Sequence, residues 1–117
     1  MNESAYTLFA RGREFLATGH PHQAVVVLER AAAAEPEKGS IRELLARALY
    51  MTGRWKQARA EFAKAVDIDP VNHYAHFGLG LAYERTGDRV QAVAHLKLAL
   101  AMEPLEEYRA ALERLTA

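Results

Sequence analysis

The sequence predicts an all-α protein built from three consecutive helical hairpins and a seventh, capping helix. The first observation is a 34-residue period, because shifting the chain by 34 positions aligns six columns of identical residues. The second is that apolar residues inside each period recur at helical rather than strand spacing. We therefore expect one domain over residues 1–117, with repeats at about 5–38, 39–72 and 73–106 and a capping helix at about 105–115. The aligned columns are Thr18/Thr52/Thr86, Gly19/Gly53/Gly87, Gln23/Gln57/Gln91, Ala24/Ala58/Ala92, Ala31/Ala65/Ala99 and Pro36/Pro70/Pro104.

The first repeat begins at Ser4, whose side chain suits a helix N-cap. Its first helix ends at Thr18, because Gly19 can adopt the positive φ of the residue after a helix. Pro21 then lies in the first turn of the second helix, where its missing N–H leaves no hydrogen bond unmade. The apolar residues expected inside are Leu8, Phe15 and Leu16, then Ala24, Val27, Leu28 and Ala31.

The second repeat begins with Ser40 and Glu43, three residues apart, which is the spacing of a capping box. Thr52-Gly53 ends its first helix, and Asp69-Pro70 closes its second. The expected apolar positions are Ile41, Leu44, Leu45, Ala48 and Leu49, then Trp55, Ala58, Phe62, Ala65 and Val66.

The third repeat begins near Asn72, turns at Thr86-Gly87 and ends before Pro104. The last helix has one apolar and one charged face, which is what the end of a stack of repeats requires. The expected apolar positions are Leu79, Ala82 and Tyr83, then Val90, Val93, Leu96 and Leu100, and in the cap Leu105, Tyr108, Leu112 and Leu115.

Composition and motifs argue against several functional classes. The formal net charge is zero, whereas phosphate binding needs surplus Lys and Arg, so nucleic acid is not an expected ligand. The chain has no cysteine and no catalytic motif, so we expect neither an enzyme nor a cofactor. His73 and His76 have helical spacing but no third ligand accompanies them, so no metal is expected. His95 is expected to face solvent.

The cellular location is predicted from the lack of a membrane-spanning segment and of a secretory leader in the sequence. No apolar run approaches the ~18 residues of a membrane span. The first residues lack the basic and apolar regions of a secretory leader, so we predict a cytoplasmic protein. Arg outnumbers Lys and Ala is abundant, which suggests a GC-rich bacterial genome.

The repeats resemble the tetratricopeptide repeat, a 34-residue helical hairpin with small residues where its two helices cross. The third repeat matches best, with Leu79-Gly80, Tyr83, Ala92 and Pro104 in the expected places. The small columns Gly12/Ala46/Gly80 and Ala24/Ala58/Ala92 fit the helix crossing, and Arg11 departs from the pattern as a solvated residue of a terminal repeat. The resemblance implies a right-handed superhelix that acts as a scaffold for binding other proteins.

The resemblance also implies where a partner would bind. In this family the first helices of the repeats line the concave side, and ligand contacts come from fixed positions on them. Five of the ten aromatic residues of the chain fall at those positions, and aromatics and Arg are enriched at binding hot spots. The expected peptide-binding residues are Tyr6, Phe9, Arg13, Glu43, Leu44, Arg47, Tyr50, Met51, Tyr74, Phe77, Leu81, Glu84 and Arg85.

The expected partner is therefore another protein or a peptide bound in the groove. One subtype is set aside: repeats that clamp the acidic C-terminus of heat-shock chaperones use Lys, Asn and Arg where this chain has Phe9, Arg13, Leu44, Tyr74 and Gly78, so that only Arg13 keeps a basic character. Two alternatives stay open. The chain could form a homodimer through its groove or an edge helix, or hold a hydrophobic segment as bacterial secretion chaperones do.

Overall fold

A computed structural model describes residues 3–117, which form seven α-helices and no strand. Each odd-numbered helix pairs with the next to make three hairpins, α1–α2, α3–α4 and α5–α6, and neighbouring hairpins pack through α2–α3 and α4–α5. The expected all-α fold is confirmed. The helices are α1 (Ala5–Ala17), α2 (Pro21–Ala34), α3 (Gly39–Met51), α4 (Trp55–Ile68), α5 (His73–Arg85), α6 (Arg89–Met102) and α7 (Glu106–Thr116). In the part that the structure describes, none of the helices combines the length and apolar composition needed to cross a bilayer.

The three Thr-Gly pairs end the first helix of each hairpin in the same way. Gly19, Gly53 and Gly87 have φ of 80°, 81° and 89°, a conformation that costs residues with a Cβ free energy. In the middle turn the Arg54 amide donates to Leu49 O at 3.0 Å, and the Gly53 amide donates to Tyr50 O at 3.0 Å. This pair of bonds is a Schellman motif, and it reverses the chain within two residues.

Small residues let the two helices of each hairpin approach closely. Ala24, Ala58 and Ala92 are fully buried. A Cβ added at Gly80 would lie 2.9 Å from Leu96 Cγ and 3.1 Å from the Ala92 carbonyl oxygen, closer than packed atoms tolerate. The small columns therefore set the spacing within each hairpin, as the sequence indicates.

At one pair of equivalent positions, the two helices of each hairpin contact each other through a different kind of side-chain pair in each repeat. In the first repeat the equivalent residues, Leu8 and Val27, are both buried and apolar. In the second, Arg42 pairs with Glu61 at 3.0 Å, with both side chains only 14% exposed. In the third, His76 Nδ1 lies 3.0 Å from His95 Nδ1. His76 Nε2 donates to Pro70 O at 2.9 Å, just as Arg42 Nε donates to Pro36 O at 2.9 Å.

Four expectations about individual residues are wrong. Ser40 is not an N-cap, because α3 begins one residue earlier at Gly39 and no side chain caps it. Val90 is 78% exposed, and Leu105, the residue immediately before the first turn of α7, is 40% exposed. His95 does not face solvent: it stacks on Tyr83 as well as on His76.

Candidate functional site

The first helices of the hairpins lie side by side and form a continuous surface. α1 contacts α3, and α3 contacts α5, whereas α2, α4 and α6 pack on the opposite side. We call the exposed surface of α1, α3 and α5 the inner face. All thirteen expected binding residues lie on these three helices, but not all of them are exposed.

Two aromatic–guanidinium pairs lie toward opposite ends of the inner face. On α1, the Arg13 guanidinium lies 5.5 Å from the centre of the Phe9 ring. Between α3 and α5, the Arg85 guanidinium lies 5.9 Å from the centre of the Tyr50 ring, and Arg85 Nε donates to the Tyr50 hydroxyl at 3.2 Å. Such contacts hold Arg in place while its remaining donors stay available to a ligand.

The middle of the inner face combines Glu43, Arg47 and Tyr74. Burial raises the pKa of Glu43, and the Asn72 side chain, His73 and Arg47 counteract this. Burial likewise raises the pKa of the Tyr74 hydroxyl, against the positive charge of Arg47. Arg47 itself is exposed. This part of the surface therefore presents one accessible cation between a half-buried carboxyl group and a half-buried phenol.

The C-terminal end of the inner face is covered by α7. The Tyr108 ring stacks on Phe77, with centres 4.6 Å apart, and its hydroxyl lies 2.7 Å from His73 Nδ1. Burial raises the pKa of Tyr108 to about 12, and the negative charge of nearby Glu107 makes a smaller contribution in the same direction. A further contact joins Arg114 Nη2 to Glu84 Oε1 at 3.0 Å. Helix α7 packs on α6 as α3 packs on α2, and it thus takes the place of the first helix of a further hairpin.

This packing divides the expected binding residues into accessible and enclosed ones. Tyr6 is 79% exposed and Met51 is 49% exposed, at opposite ends of their helices. Phe77 is only 8% exposed, and Leu81 packs into the same cluster. Leu44 is half-buried against the main core. Phe77 is therefore a contact of the capping helix, and its truncation would remove core packing rather than test binding alone.

Sequence reasoning missed two residues at this surface, Trp55 and Arg114. Trp55, expected inside the fourth helix, is half-exposed at its start and lies 4.8 Å from the Arg85 guanidinium. Arg114 and Tyr108 extend from α7 to α5, and no local sequence pattern predicts which residues of α5 they contact. The one available signal was that the only tryptophan of the chain stands at a helix start, beside a turn.

The histidines do not form a metal site. His73 faces Tyr108, whereas His76 faces His95, so the two point to different partners. Residues 3–117 contain no group of three or more His, Cys, Asp or Glu side chains placed to hold a metal ion. Burial and the neighbouring His76 lower the pKa of His95.

Stacked hairpins with an open inner face define a helical-repeat scaffold. The chain belongs to the tetratricopeptide repeat family, whose profile matches residues 9–73 and 53–107. No curated protein sequence matches the chain.

Solved structures share the fold at low sequence identity. The first repeat domain of Spaghetti (RPAP3), bound to the HSP90 peptide SRMEEVD, has a TM-score of 0.92 at 18% identity, over 97% of this chain and 90% of that one. The Arabidopsis OM64 domain has a TM-score of 0.92 at 23% identity, over 95% and 93%. YrrB, described as having an unusual peptide-binding site, has a TM-score of 0.87 at 22% identity, over 99% and 59%. These likenesses bear out the expected superhelical fold.

Proposed function

We propose that this protein is a non-enzymatic interaction module whose inner face binds a segment of a partner polypeptide. The observation that carries the proposal is the row of rings and guanidinium groups across three helices: Phe9 with Arg13, Tyr74 near Arg47, and Tyr50 with Arg85. Rings give contact area at small entropic cost, and Arg gives directed hydrogen bonds, which is why both concentrate at interaction hot spots.

The chemistry of this surface distinguishes it from two related kinds of binding. Of the places of the heat-shock carboxylate clamp, Arg13 alone keeps a basic side chain here, and Gly78 lies buried against the Phe62 ring. A holder of hydrophobic segments needs an aliphatic groove, whereas three arginines, Arg13, Arg47 and Arg85, are exposed on this surface beside Tyr6 and Met51. We therefore favour a partner segment with mixed polar and apolar side chains.

Selection from a random peptide library, followed by affinity measurements, tests the proposal. Tyr6→Ala and Arg47→Ala change exposed residues of α1 and α3, so the fold should persist. Each should raise the Kd of a selected peptide about tenfold, which corresponds to ~1.4 kcal/mol. Lys97→Ala, on the exposed outer side of α6, is the matched control. The proposal fails if the Lys97 variant loses affinity while the two inner-face variants keep it.

A second candidate, self-association, is favoured by the outer side of α6. Val90, Leu98 and Met102 are 78%, 44% and 38% exposed there. The preceding repeat carries Lys56 and Lys64 at the positions of Val90 and Leu98, so this apolar surface is specific to the third repeat. Exposed apolar patches commonly mark contacts with other proteins, and a second copy is one such partner.

Sedimentation at two protein concentrations separates the candidates. Self-association predicts that the sedimentation coefficient rises with concentration and that Leu98→Lys, the residue of the preceding repeat, removes the rise. Val26→Lys, at an isolated exposed residue of α2, is the control and should leave it unchanged. A concentration-independent monomer excludes this candidate without affecting the first.

A further inference from the structure

Two open hollows lie side by side at the edge formed by the turns after α3 and α5. They have volumes of about 480 and 680 Å³, and Trp55 and Arg85 line both of them, so these two side chains form a shared wall. We call the pair of hollows the turn notch. Tyr50 and Arg114 line its first hollow, and Arg54 and Lys56 line its second.

The wall holds one guanidinium group in a fixed position. The Arg85 guanidinium carbon lies 4.8 Å from the centre of the Trp55 ring and 5.9 Å from that of Tyr50, and Arg85 Nε donates to the Tyr50 hydroxyl. The terminal nitrogens of Arg85 make no hydrogen bond within residues 3–117. Only the Nε–H of the five guanidinium donors is used by Tyr50, so the four N–H groups of the terminal nitrogens remain for a ligand.

The charge of the notch is strongly one-sided. Four cationic side chains, Arg54, Lys56, Arg85 and Arg114, line the two hollows, against a single carboxylate, Glu84. Arg114 already pairs with that carboxylate. The chain as a whole has no net charge, so the turn notch is a local concentration of positive charge. Such a surface attracts an anion, and the low-dielectric rings beside the cations focus their field.

We propose that the turn notch binds an acidic segment of the partner polypeptide, with two carboxylate side chains separated by one residue and placed on either side of Arg85. This inference rests on the proposed function and assigns a chemistry to the partner. In an extended segment, residues i and i+2 point the same way and lie about 6.7 Å apart. Two adjacent hollows divided by one guanidinium suit such a pair of side chains, because the terminal nitrogens of Arg85 can donate to a carboxylate in either hollow.

A peptide fits the notch better than a nucleic acid. Single-stranded nucleic acid also combines anionic groups with stacking on rings, but it needs a basic track along several nucleotides. Here carboxylates interrupt the basic residues, because Glu84 pairs with Arg114 and Asp88 caps α6 three residues after Arg85. A short acidic segment needs only the notch itself.

The single tryptophan allows a direct test, because Trp55 forms the wall and its fluorescence reports on the notch alone. The probe is a nine-residue Gly/Ser peptide with a central Glu-Ala-Glu and both ends blocked, so that side chains supply the only carboxylates. We expect a saturable fluorescence change that is absent with Gln-Ala-Gln and weakens as salt rises. Arg85→Gln should lower the affinity about tenfold, and Arg85→Lys should lower it less, since Lys keeps the charge but loses the fork.

Two control variants decide where the probe binds. Arg30→Gln changes an exposed arginine on α2, far along the chain from the notch, and should leave the affinity unchanged. The inference is overturned if Glu-Ala-Glu gives no saturable change, if Arg47→Gln rather than Arg85→Gln weakens binding, or if oligouridylate binds the notch and the peptide does not. Peptides selected on the inner face should keep their sensitivity to Tyr6→Ala and Arg47→Ala in each of these cases. Failure of the turn notch is thereby distinguishable from failure of the proposed function.

Discussion

Truncation of Tyr108 tests how the capping helix is held. The Tyr108 side chain is 1% exposed, stacks on Phe77 and contacts His73 through its hydroxyl. Replacing a buried aromatic residue by Ala costs about 3–5 kcal/mol. A domain of this size is stable by only about 5–15 kcal/mol, so Tyr108→Ala should remove a large fraction of the total. Tyr108→Phe keeps the ring and loses one hydrogen bond, so about 0.5–1.5 kcal/mol is expected.

The assay is urea unfolding followed by circular dichroism at 222 nm. The order of stability should be parent, then Tyr108→Phe, then Tyr108→Ala. A cycle with Phe77→Ala should give a coupling energy of about 0.5–1.5 kcal/mol for the stacked pair. If Tyr108→Ala unfolds within ~0.5 kcal/mol of the parent, α7 does not depend on this residue and the packing described here is wrong.

Three further changes test other parts of the structure. Ala92→Leu should cost about 1–3 kcal/mol in urea unfolding, because Ala92 is fully buried at the crossing of α5 and α6, and an unchanged midpoint would contradict that placement. Gly53→Ala should lower the free energy of unfolding by about 1 kcal/mol, since φ there is 81°. Ala60→Gly, on the exposed side of α4, should also lower it by about 1 kcal/mol, in this case through helix propensity alone. The lowered pKa of His95 means that the unfolded chain takes up a proton more readily than the folded one, so stability should fall as pH drops below ~6.5. His95→Asn should flatten this dependence between pH 7.5 and 5, and an unaltered slope would assign it to other groups.

The fold could be predicted because local chemistry repeats at a fixed distance. A Thr-Gly pair ends a helix wherever it occurs, and all three pairs form the same turn. The small residues at the crossings are equally local in their effect, since the space beside Gly80 admits no Cβ. These signals specify hairpins, and stacking of hairpins follows from their apolar sides.

The details of the surface could not be predicted, because they depend on residues far apart in sequence. His95 has a polar side chain on an outer helix, yet it is held between His76 and Tyr83. Phe77 lies at a position typical of ligand contacts, but α7 covers it through Tyr108. Trp55 meets Arg85 only because consecutive hairpins stack with their turns adjacent. Periodicity assigns such residues to a helix side and says nothing of their neighbours.

Ser40 and Glu43 show a limit of motif reasoning. Their spacing is that of a capping box, but α3 begins at Gly39 after Lys38, and Glu43 lies half-buried on the inner face instead. A cap motif correctly predicts that a helix follows, but it does not fix the first residue of that helix, because tertiary packing selects the first turn.

Amide chemical-shift mapping with a library-selected peptide tests the central claim most directly. If the inner face is the binding surface, the largest shifts will lie on α1, α3 and α5, around Arg13, Arg47 and Tyr74, and Arg47→Ala will remove them. Shifts confined to the outer helices α2, α4 and α6 would contradict the account.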